Sequence, residues 1–226
     1  MNISKQKKAI VLLSGGIDSA TCLFIARKTH KCHCLIFDYG QRHRREIRFA
    51  ESIAQKTKSP YRILKLSLPW GGTALLDKGK RLPQDRRLSR IGKDIPPTYV
   101  PGRNIIFLSI GISWAEVLGA SYVYIGAHQS DFSGYPDCRK DFFEAFQKAI
   151  IKGTKAGVEG KEIEIVAPLL DKTKSEIVKM GKRLGVPFEL TWSCYKGGKR
   201  PCGRCDSCIL REKGFKEAGI EDPLIK

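Results

Sequence analysis

The stretch Leu13-Ser14-Gly15-Gly16-Ile17-Asp18-Ser19-Ala20-Thr21 decides how the rest of the chain is interpreted. It follows an apolar run of strand length at residues 9–13, and the segment 20–28 after it is typical of a helix. Paired glycines at such a junction allow backbone conformations and close approaches that a Cβ atom would forbid. The first amides of the helix have no partner within it and point, with the positive end of the helix dipole, into the loop. The stretch therefore predicts a phosphate-binding loop.

The residues around the two glycines indicate which kind of phosphate loop this is. No Gly-Lys-Ser/Thr follows, so the loop is not the type that binds the β and γ phosphates in many NTP hydrolases. It resembles the S-G-G-x-D-S loop of the PP-loop ATP pyrophosphatases, which hold pyrophosphate and cleave ATP between the α and β phosphates. An ordinary Gly-rich turn is the alternative. Both serines and Asp18 in register favour the ATP loop.

Length and charge restrict the possibilities further. A chain of 226 residues fits one large α/β domain with a small appendage. We expect the domain at residues 1–190 and the appendage, a zinc-binding segment, at residues 191–226. The net charge of +18 favours a polyanionic partner such as tRNA or a nucleotide, or simply a lysine-rich surface. No apolar stretch approaches the ~18 residues of a membrane span, so we expect no membrane association.

Strand-like and helix-like segments alternate along the chain. Strands are predicted at residues 9–13, 32–37, 61–68, 121–126 and 163–166, and helices at 20–28, 41–56, 103–118, around 142–150 and 174–184. This alternation predicts a doubly wound, mainly parallel five-stranded sheet whose ligand lies beyond the carboxyl ends of the strands. Residues 69–101 break the pattern, and we interpret them as a lid. The apolar helix at 103–118 is expected to be buried, in the core or in a dimer interface.

Four cysteines near the end of the sequence, Cys194, Cys202, Cys205 and Cys208, have the spacing C-x7-C-x2-C-x2-C. Two residues between cysteines allow a tight turn to direct both sulfurs at one point, and four thiolates complete a tetrahedral zinc shell. Such a zinc is structural, because no coordination position stays open. An iron–sulfur cluster is the alternative. Ligand cysteines of this kind suggest a reducing, cytoplasmic location.

Several longer motifs point to one family. They are Phe37-Asp38-Tyr39-Gly40-Gln41-Arg42-His43, Val100-Pro101-Gly102-Arg103-Asn104, Asp131-Phe132-Ser133-Gly134-Tyr135-Pro136-Asp137-Cys138-Arg139 and the cysteine segment with Lys213-Gly214-Phe215. With the phosphate loop, they make the chain similar to the 7-cyano-7-deazaguanine synthase family nearly end to end. The resemblance implies ATP-dependent conversion of 7-carboxy-7-deazaguanine and ammonia to 7-cyano-7-deazaguanine. It also implies bound zinc, a homodimer and no requirement for nucleic acid.

Roles for individual residues follow as hypotheses. Residues 13–21 hold pyrophosphate, Asp18 orients Mg²⁺, and Lys174, in a pattern that recurs in the superfamily, neutralises the α-phosphate; Asp18 and Lys174 are the catalytic candidates. Asp38 and Tyr39 are placed to meet the adenosine. The substrate-binding candidates are Arg42, His43, Arg103, Asp131, Tyr135, Asp137 and Arg139.

Three other functions stay open from the sequence. A PP-loop tRNA-modifying enzyme also adenylates its substrate, and the basic charge favours it. A zinc-knuckle nucleic-acid-binding protein with an inactive nucleotide fold is the second. The third is an amidation like that of GMP or NAD synthetases, for which ammonia is the expected nitrogen source because the chain leaves no room for a glutaminase domain.

Overall fold

The computed structural model describes residues 6–91, 93–128 and 135–225. The strands are β1 (Lys8–Leu12), β2 (Lys31–Asp38), β3 (Tyr61–Lys65), β4 (Tyr122–Tyr124) and β5 (Glu164–Val166). The helices are α1 (Ile17–Ala26), α2 (Arg45–Lys56), α3 (Arg103–Leu118), α4 (Lys140–Gly153), α5 (Lys155–Val158), α6 (Lys174–Leu184) and α7 (Asp206–Ala218). Short 3₁₀ turns lie at Leu88–Arg90, Pro136–Cys138 and Phe188–Leu190.

The five strands form one parallel sheet in the order β3-β2-β1-β4-β5. In the central strand, Val11 pairs with Cys34 of β2 on one side and with Tyr124 of β4 on the other. The chain first extends the sheet to one side of β1 and then returns to build the other side. A ligand crevice is expected where this direction reverses, beyond the carboxyl end of β1, which is where the phosphate loop lies. The predicted fold class is confirmed.

Helices cover both faces of the sheet, and each face has its own hydrophobic core. On one face α1, α2, α6 and α7 pack together around residues such as Leu23, Ile177 and Phe215. On the other face, Leu108 of α3 and Phe143 of α4 pack against the alternate side chains of the strands. Consecutive residues of β1 point to opposite faces, so a single buried strand contributes to both cores.

Several helices differ from their predicted form: α1 covers Ile17–Ala26 rather than 20–28, and the one-turn helix α5 was not predicted. Helix α2 begins at Arg45 rather than at residue 41, because the Gln41 side chain turns back to accept the Tyr39 amide and to donate to the Phe37 carbonyl. Helix α7 was not predicted, since few of its residues are apolar. It packs against α6, and Phe215 fills the core. The division at residue 190 stays a prediction.

Helix α3 has the predicted bounds, but only one of its faces is buried in the single chain. Leu108, Ile112 and Ala115 are in the core, whereas Val117 is 82% exposed. Burial of the outer face in a dimer stays a prediction. Within the described ranges, no helix combines the length and apolar character needed to cross a membrane.

The segment interpreted as a lid contacts the cysteine segment. Gln84 forms an isolated antiparallel bridge with Cys205, and the Asp85 amide donates to the Arg204 carbonyl at 2.8 Å. Arg86 donates to Asp206, the first residue of α7, at 2.9 Å. These contacts attach residues 84–86 to the wall of the site described below; their closure over a ligand stays a prediction.

Candidate active site

The phosphate loop is held in shape by its own serines and by a close contact with α2. The Ser14 amide donates to Ser19 Oγ at 3.1 Å, and the two hydroxyl oxygens lie 3.0 Å apart. Gly15 has a φ of +83°, and a Cβ there would lie 2.4 Å from the Glu46 carbonyl oxygen. Only glycine fits both demands. The residue before α1 is Gly16, which has no side chain to accept hydrogen bonds from the helix. The first amides of α1 therefore remain available to a phosphate.

A cavity of about 250 Å³ opens in front of this loop. Several segments of the chain contribute to its walls, among them the loop, the end of β2 with the start of α2, the start of α3, the residues after β4, and residues 192–195 around Cys194. Its walls include Leu13, Ser14, Gly16, Asp18, Ser19, Phe37, Tyr39, Glu46, Arg103, Asn104, Phe107, Gly126, Tyr135, Cys138, Trp192, Ser193 and Tyr195.

Asp18, Lys174 and His128 form a charged cluster at the edge of the loop. Lys174 Nζ lies 2.7 and 2.8 Å from the two Asp18 oxygens and 2.9 Å from His128 Nε2. Burial alone would raise the pKa of Asp18, but the neighbouring Lys174 and His128 outweigh it and hold that pKa well below its usual range. The carboxylate is therefore ionised, and the Lys174 ammonium is paired with it at the first turn of α1.

Gly214 of α7 makes room for this lysine. A Cβ at that position would lie 2.3 Å from Lys174 Cγ and 3.1 Å from its Cβ. The α6–α7 contact thus sets the course of the Lys174 side chain from the core face toward the loop.

Arg103 brings a second positive charge to the cavity. Its guanidinium donates to Tyr39 Oη at 3.4 Å, and among the described residues no carboxylate lies within ion-pair distance of it. Burial works to lower the pKa of Arg103, but the neighbouring Tyr39 and Tyr135 more than offset this and raise it. A partly buried guanidinium at a cavity wall, with no carboxylate partner among the described residues, is suited to an anionic ligand.

The four cysteines converge as their spacing predicts. Their Sγ atoms all lie within 4.8 Å of one another. The Cys194 sulfur accepts the backbone amides of Lys196 at 3.4 Å and Cys202 at 3.3 Å, and the Cys202 sulfur accepts that of Cys205 at 3.4 Å. Amides directed at sulfur stabilise thiolates, which are the metal-binding form. The donor set therefore fits a tetrahedral metal ion.

Comparison with known proteins identifies the family. A family model described as "Queuosine biosynthesis protein QueC" matches residues 8–219. The chain belongs to the QueC family. A 7-cyano-7-deazaguanine synthase from Nostoc punctiforme is 50% identical over 221 residues, which cover 96% of this chain and 99% of the relative. One from Thermosynechococcus vestitus is 52% identical over 221 residues, covering 96% and 95%.

A solved structure titled NMN synthetase from Francisella tularensis has the same fold. It has a TM-score of 0.51 and 16% identity, and the match covers 98% of this chain and 80% of that one. At this identity the likeness shows the fold alone. Membership of the QueC family itself favours the predicted nitrile-forming enzyme over the tRNA-modifying enzyme and the inactive nucleotide fold.

The QueC-family chain brings many of its predicted site residues together. Leu13, Ser14, Gly16, Asp18, Ser19, Tyr39, Arg103 and Tyr135 line the cavity, and Lys174 joins through Asp18. Gly15, Ile17, Ala20 and Thr21 support the loop; Ile17, Ala20 and Thr21 are buried. The Thr98 and Tyr135 hydroxyls, 3.3 Å apart, join one wall to the 69–101 segment.

Other predicted residues lie outside the cavity wall. Asp38 pairs with Arg44 at 3.0 Å beside a separate depression, and Arg42 donates to the Lys80 carbonyl at 2.7 Å. The His43 ring packs against Gly197, and burial lowers the pKa of this histidine.

Within the last of the family motifs, Asp137 is buried and accepts the Asn104 amide at 3.0 Å, whereas Arg139 is exposed. Asp131 lies outside the described residues. Binding roles for these three residues, and for Asp38, Arg42 and His43, stay predictions.

Two charged or polar residues of the site, His128 beside Asp18 and Glu46 in the cavity wall, are absent from the residues predicted from the sequence. His128 follows β4 by four residues, so the rule that ligands lie beyond the carboxyl ends of parallel strands contained the signal for it. Glu46 lies just after the motif that ends at His43, in the first turn of α2. Only the contact of that turn with Gly15 reveals its place at the site.

Proposed function

We propose that this chain is a 7-cyano-7-deazaguanine synthase, which converts 7-carboxy-7-deazaguanine and ammonia to 7-cyano-7-deazaguanine with ATP and releases AMP and pyrophosphate. The observation that carries the proposal is that the phosphate loop, the Asp18–Lys174 pair and the Arg103 guanidinium meet at one cavity. An activated phosphate and a carboxylic acid can therefore be held next to each other. The chain is 50% and 52% identical to two relatives named 7-cyano-7-deazaguanine synthase, over 96% of its length, and this similarity supports the proposed substrate.

A carboxylate is a poor electrophile, so the first step activates it. Its oxygen attacks the α-phosphorus of ATP, and the bond to the β-phosphate oxygen breaks to release pyrophosphate. Loop amides and Ser14 receive the charge that develops on pyrophosphate, while Lys174 neutralises the α-phosphate. Arg103 holds the acid in line for this attack.

Ammonia then displaces AMP from the acyl adenylate and loses a proton, which gives the amide. The amide oxygen attacks a second ATP in the same way. Loss of AMP and of the remaining N–H protons leaves the nitrile. No step requires a nucleophile from the protein, so catalysis consists of positioning and of neutralising phosphate charge.

Two metal ions belong to the proposal. Zinc in the four-cysteine site is structural, since the four thiolates fill a tetrahedral shell and keep Trp192 and Tyr195 of the cavity wall in place. Mg²⁺ would accompany the phosphates, with the ionised Asp18 carboxylate as its protein oxygen ligand, and would reduce their negative charge.

The remaining parts of the proposal concern context. All eight cysteines lie in the described ranges and none forms a disulfide there, which is compatible with a cytoplasmic enzyme, and the exposed outer face of α3 offers apolar surface to a homodimer. Light scattering on the purified protein measures directly whether it forms a dimer. Nucleic acid is not required, so added tRNA should leave turnover unchanged.

The decisive experiment is a reaction of the purified protein with 7-carboxy-7-deazaguanine, ammonium, Mg²⁺ and ATP, analysed by mass spectrometry. We expect the nitrile together with AMP, and no nitrile when ammonium is left out. Formation of ADP as the sole nucleotide product, or absence of the nitrile, would contradict the proposal. A matched pair of variants, Lys174→Met and Lys179→Met on the same helix, separates loss of the site from loss of a surface charge.

A further inference from the structure

Glu46 lies in the cavity wall, and its carboxyl group has no role in the reaction steps proposed above. It lies in the first turn of α2, and its side chain faces the same cavity as Ser14, Asp18 and Arg103. Its main chain touches the phosphate loop, because its carbonyl oxygen occupies the space beside Gly15. The position of Glu46 relative to the phosphate loop is thus fixed by a backbone contact.

Its orientation is fixed as well. Gln41 Oε1 accepts the Tyr39 amide at 2.8 Å, which leaves Nε2 to donate to the Phe37 carbonyl and to Glu46 Oε1, each at 3.1 Å. The hydrogen bond from the Tyr39 backbone amide determines which end of the Gln41 side-chain amide is oxygen and which is nitrogen. The buried Gln41 side chain takes one acceptor position of Glu46 Oε1, so among the described residues both carboxylate oxygens keep acceptor capacity for a ligand.

This carboxyl group has spare capacity to accept hydrogen bonds. A carboxylate offers about four acceptor positions, yet among the described residues Gln41 supplies its one hydrogen bond. Burial raises the pKa of Glu46 to about 7, against the lowering effect of Arg103 and Gln41. Donors arriving with a ligand would stabilise its charged form.

The proposed substrate carries such donors. A 2-amino-4-oxopyrimidine ring presents a ring N–H and an exocyclic NH₂ side by side, a pair that matches the two oxygens of a carboxylate. We propose that Glu46 binds this edge of the ring and thereby selects a guanine-type heterocycle. Phe107, which lines the cavity and stacks on Phe37 at 3.8 Å between centroids, provides an aromatic wall for the ring plane. Arg103 holds the acid group. The inference rests on the proposed function.

The test is a change of ring specificity rather than a loss of activity. In Glu46→Gln, one donor replaces one acceptor, so the variant fits a 2-oxo ring better than a 2-amino ring. We expect the ratio of kcat/KM for 7-carboxy-7-deazaguanine to that for its 2-oxo analogue to fall by about 100-fold, with KM for ATP unchanged. Glu51→Gln, in the same helix but away from the cavity, serves as the control and should keep the wild-type ratio.

A second measurement uses the unmodified protein, in case the variant fails to fold. The analogue without the 2-amino group should bind about 10-fold more weakly than 7-carboxy-7-deazaguanine in calorimetric titration. Equal affinities would overturn the assignment.

Other outcomes separate this inference from the function itself. If wild-type protein forms the nitrile while Glu46→Gln keeps the wild-type ring preference, Glu46 does not read the ring and the proposed function stands. A rise in KM for ammonium alone would instead make Glu46 a proton acceptor for ammonium and overturn the assignment. Wild-type protein that neither binds the acid nor forms the nitrile would overturn both proposals.

Discussion

Replacing Lys174 with methionine tests the charged cluster beside the phosphate loop. Methionine keeps most of the apolar stem next to Gly214 but removes the ammonium that lies 2.7 Å from Asp18. Asp18 then keeps a charge that burial disfavours, with His128 at 3.5 Å as its remaining side-chain partner within the described ranges. We expect a folded protein of lower stability that does not turn over.

The magnitude follows from the exposure of the pair. Removing one partner of a buried ion pair costs about 3–5 kcal/mol. The side chains here are 13% and 25% exposed, so solvent screens part of the effect, and we expect about 2–3 kcal/mol. In a domain of this size 1 kcal/mol corresponds to about 2–4 °C, so Tm should fall by about 4–12 °C.

A double variant separates the charge effect from packing. In Asp18→Asn with Lys174→Met, no uncompensated charge remains, and most of the lost stability should return while turnover stays absent. Calorimetry measures Tm, AMP release measures turnover, and Lys179→Met is the control. Wild-type turnover in the single variant, or a double variant that melts below it, would refute this reasoning.

Further predictions concern the loop, the metal site, α7 and pH. Ser14→Ala should lower kcat/KM for ATP by about 100-fold with an unchanged circular dichroism spectrum, and wild-type kinetics would contradict the role of the loop. Cys205→Ser should lose bound zinc, measured by mass spectrometry of the metal, and solubility; a stable, metal-free, active variant would disprove a structural zinc. Gly214→Ala should displace Lys174 and abolish turnover in a folded protein, and unaltered kinetics would show that the lysine tolerates the methyl group. Because burial raises the pKa of Glu46 from 4.5 to about 7, the folded state binds more protons than the unfolded state between these values. Stability of the wild type should therefore fall by up to about 3 kcal/mol as pH rises through this window, relative to Glu46→Gln, and equal pH profiles of Tm would contradict it.

The sequence predicted those parts of the fold that depend on local signals. Helix α6 has the predicted bounds because Thr173 forms a capping box with Glu176 at one end and Gly185 adopts a left-handed conformation at the other. Helix α7 has no apolar periodicity of comparable strength, and its stability comes from packing against α6. Local patterns do not contain that information.

The site was predictable where spacing or motif determines a position, and less so where it depends on orientation. Cys194 and its partners converge because their spacing dictates it. Arg42 and Tyr39 belong to one motif, yet Arg42 contacts the 69–101 segment and Tyr39 lines the cavity. Membership of a motif does not specify the direction of a side chain. Glu46 emerged only from the tertiary contact with Gly15.

The stretch before α7 connects the phosphate loop to the four-cysteine site. Trp192 donates its amide to the Gly15 carbonyl at 2.8 Å, and its indole nitrogen donates to the Cys194 carbonyl at 2.9 Å. Ser193 and Tyr195 face the cavity on either side of that cysteine. In a newly synthesised chain without metal in the four-cysteine site, the sheet would be folded but the cavity wall at residues 192–195 would be less ordered. The supply of metal would then determine the fraction of the protein that is active.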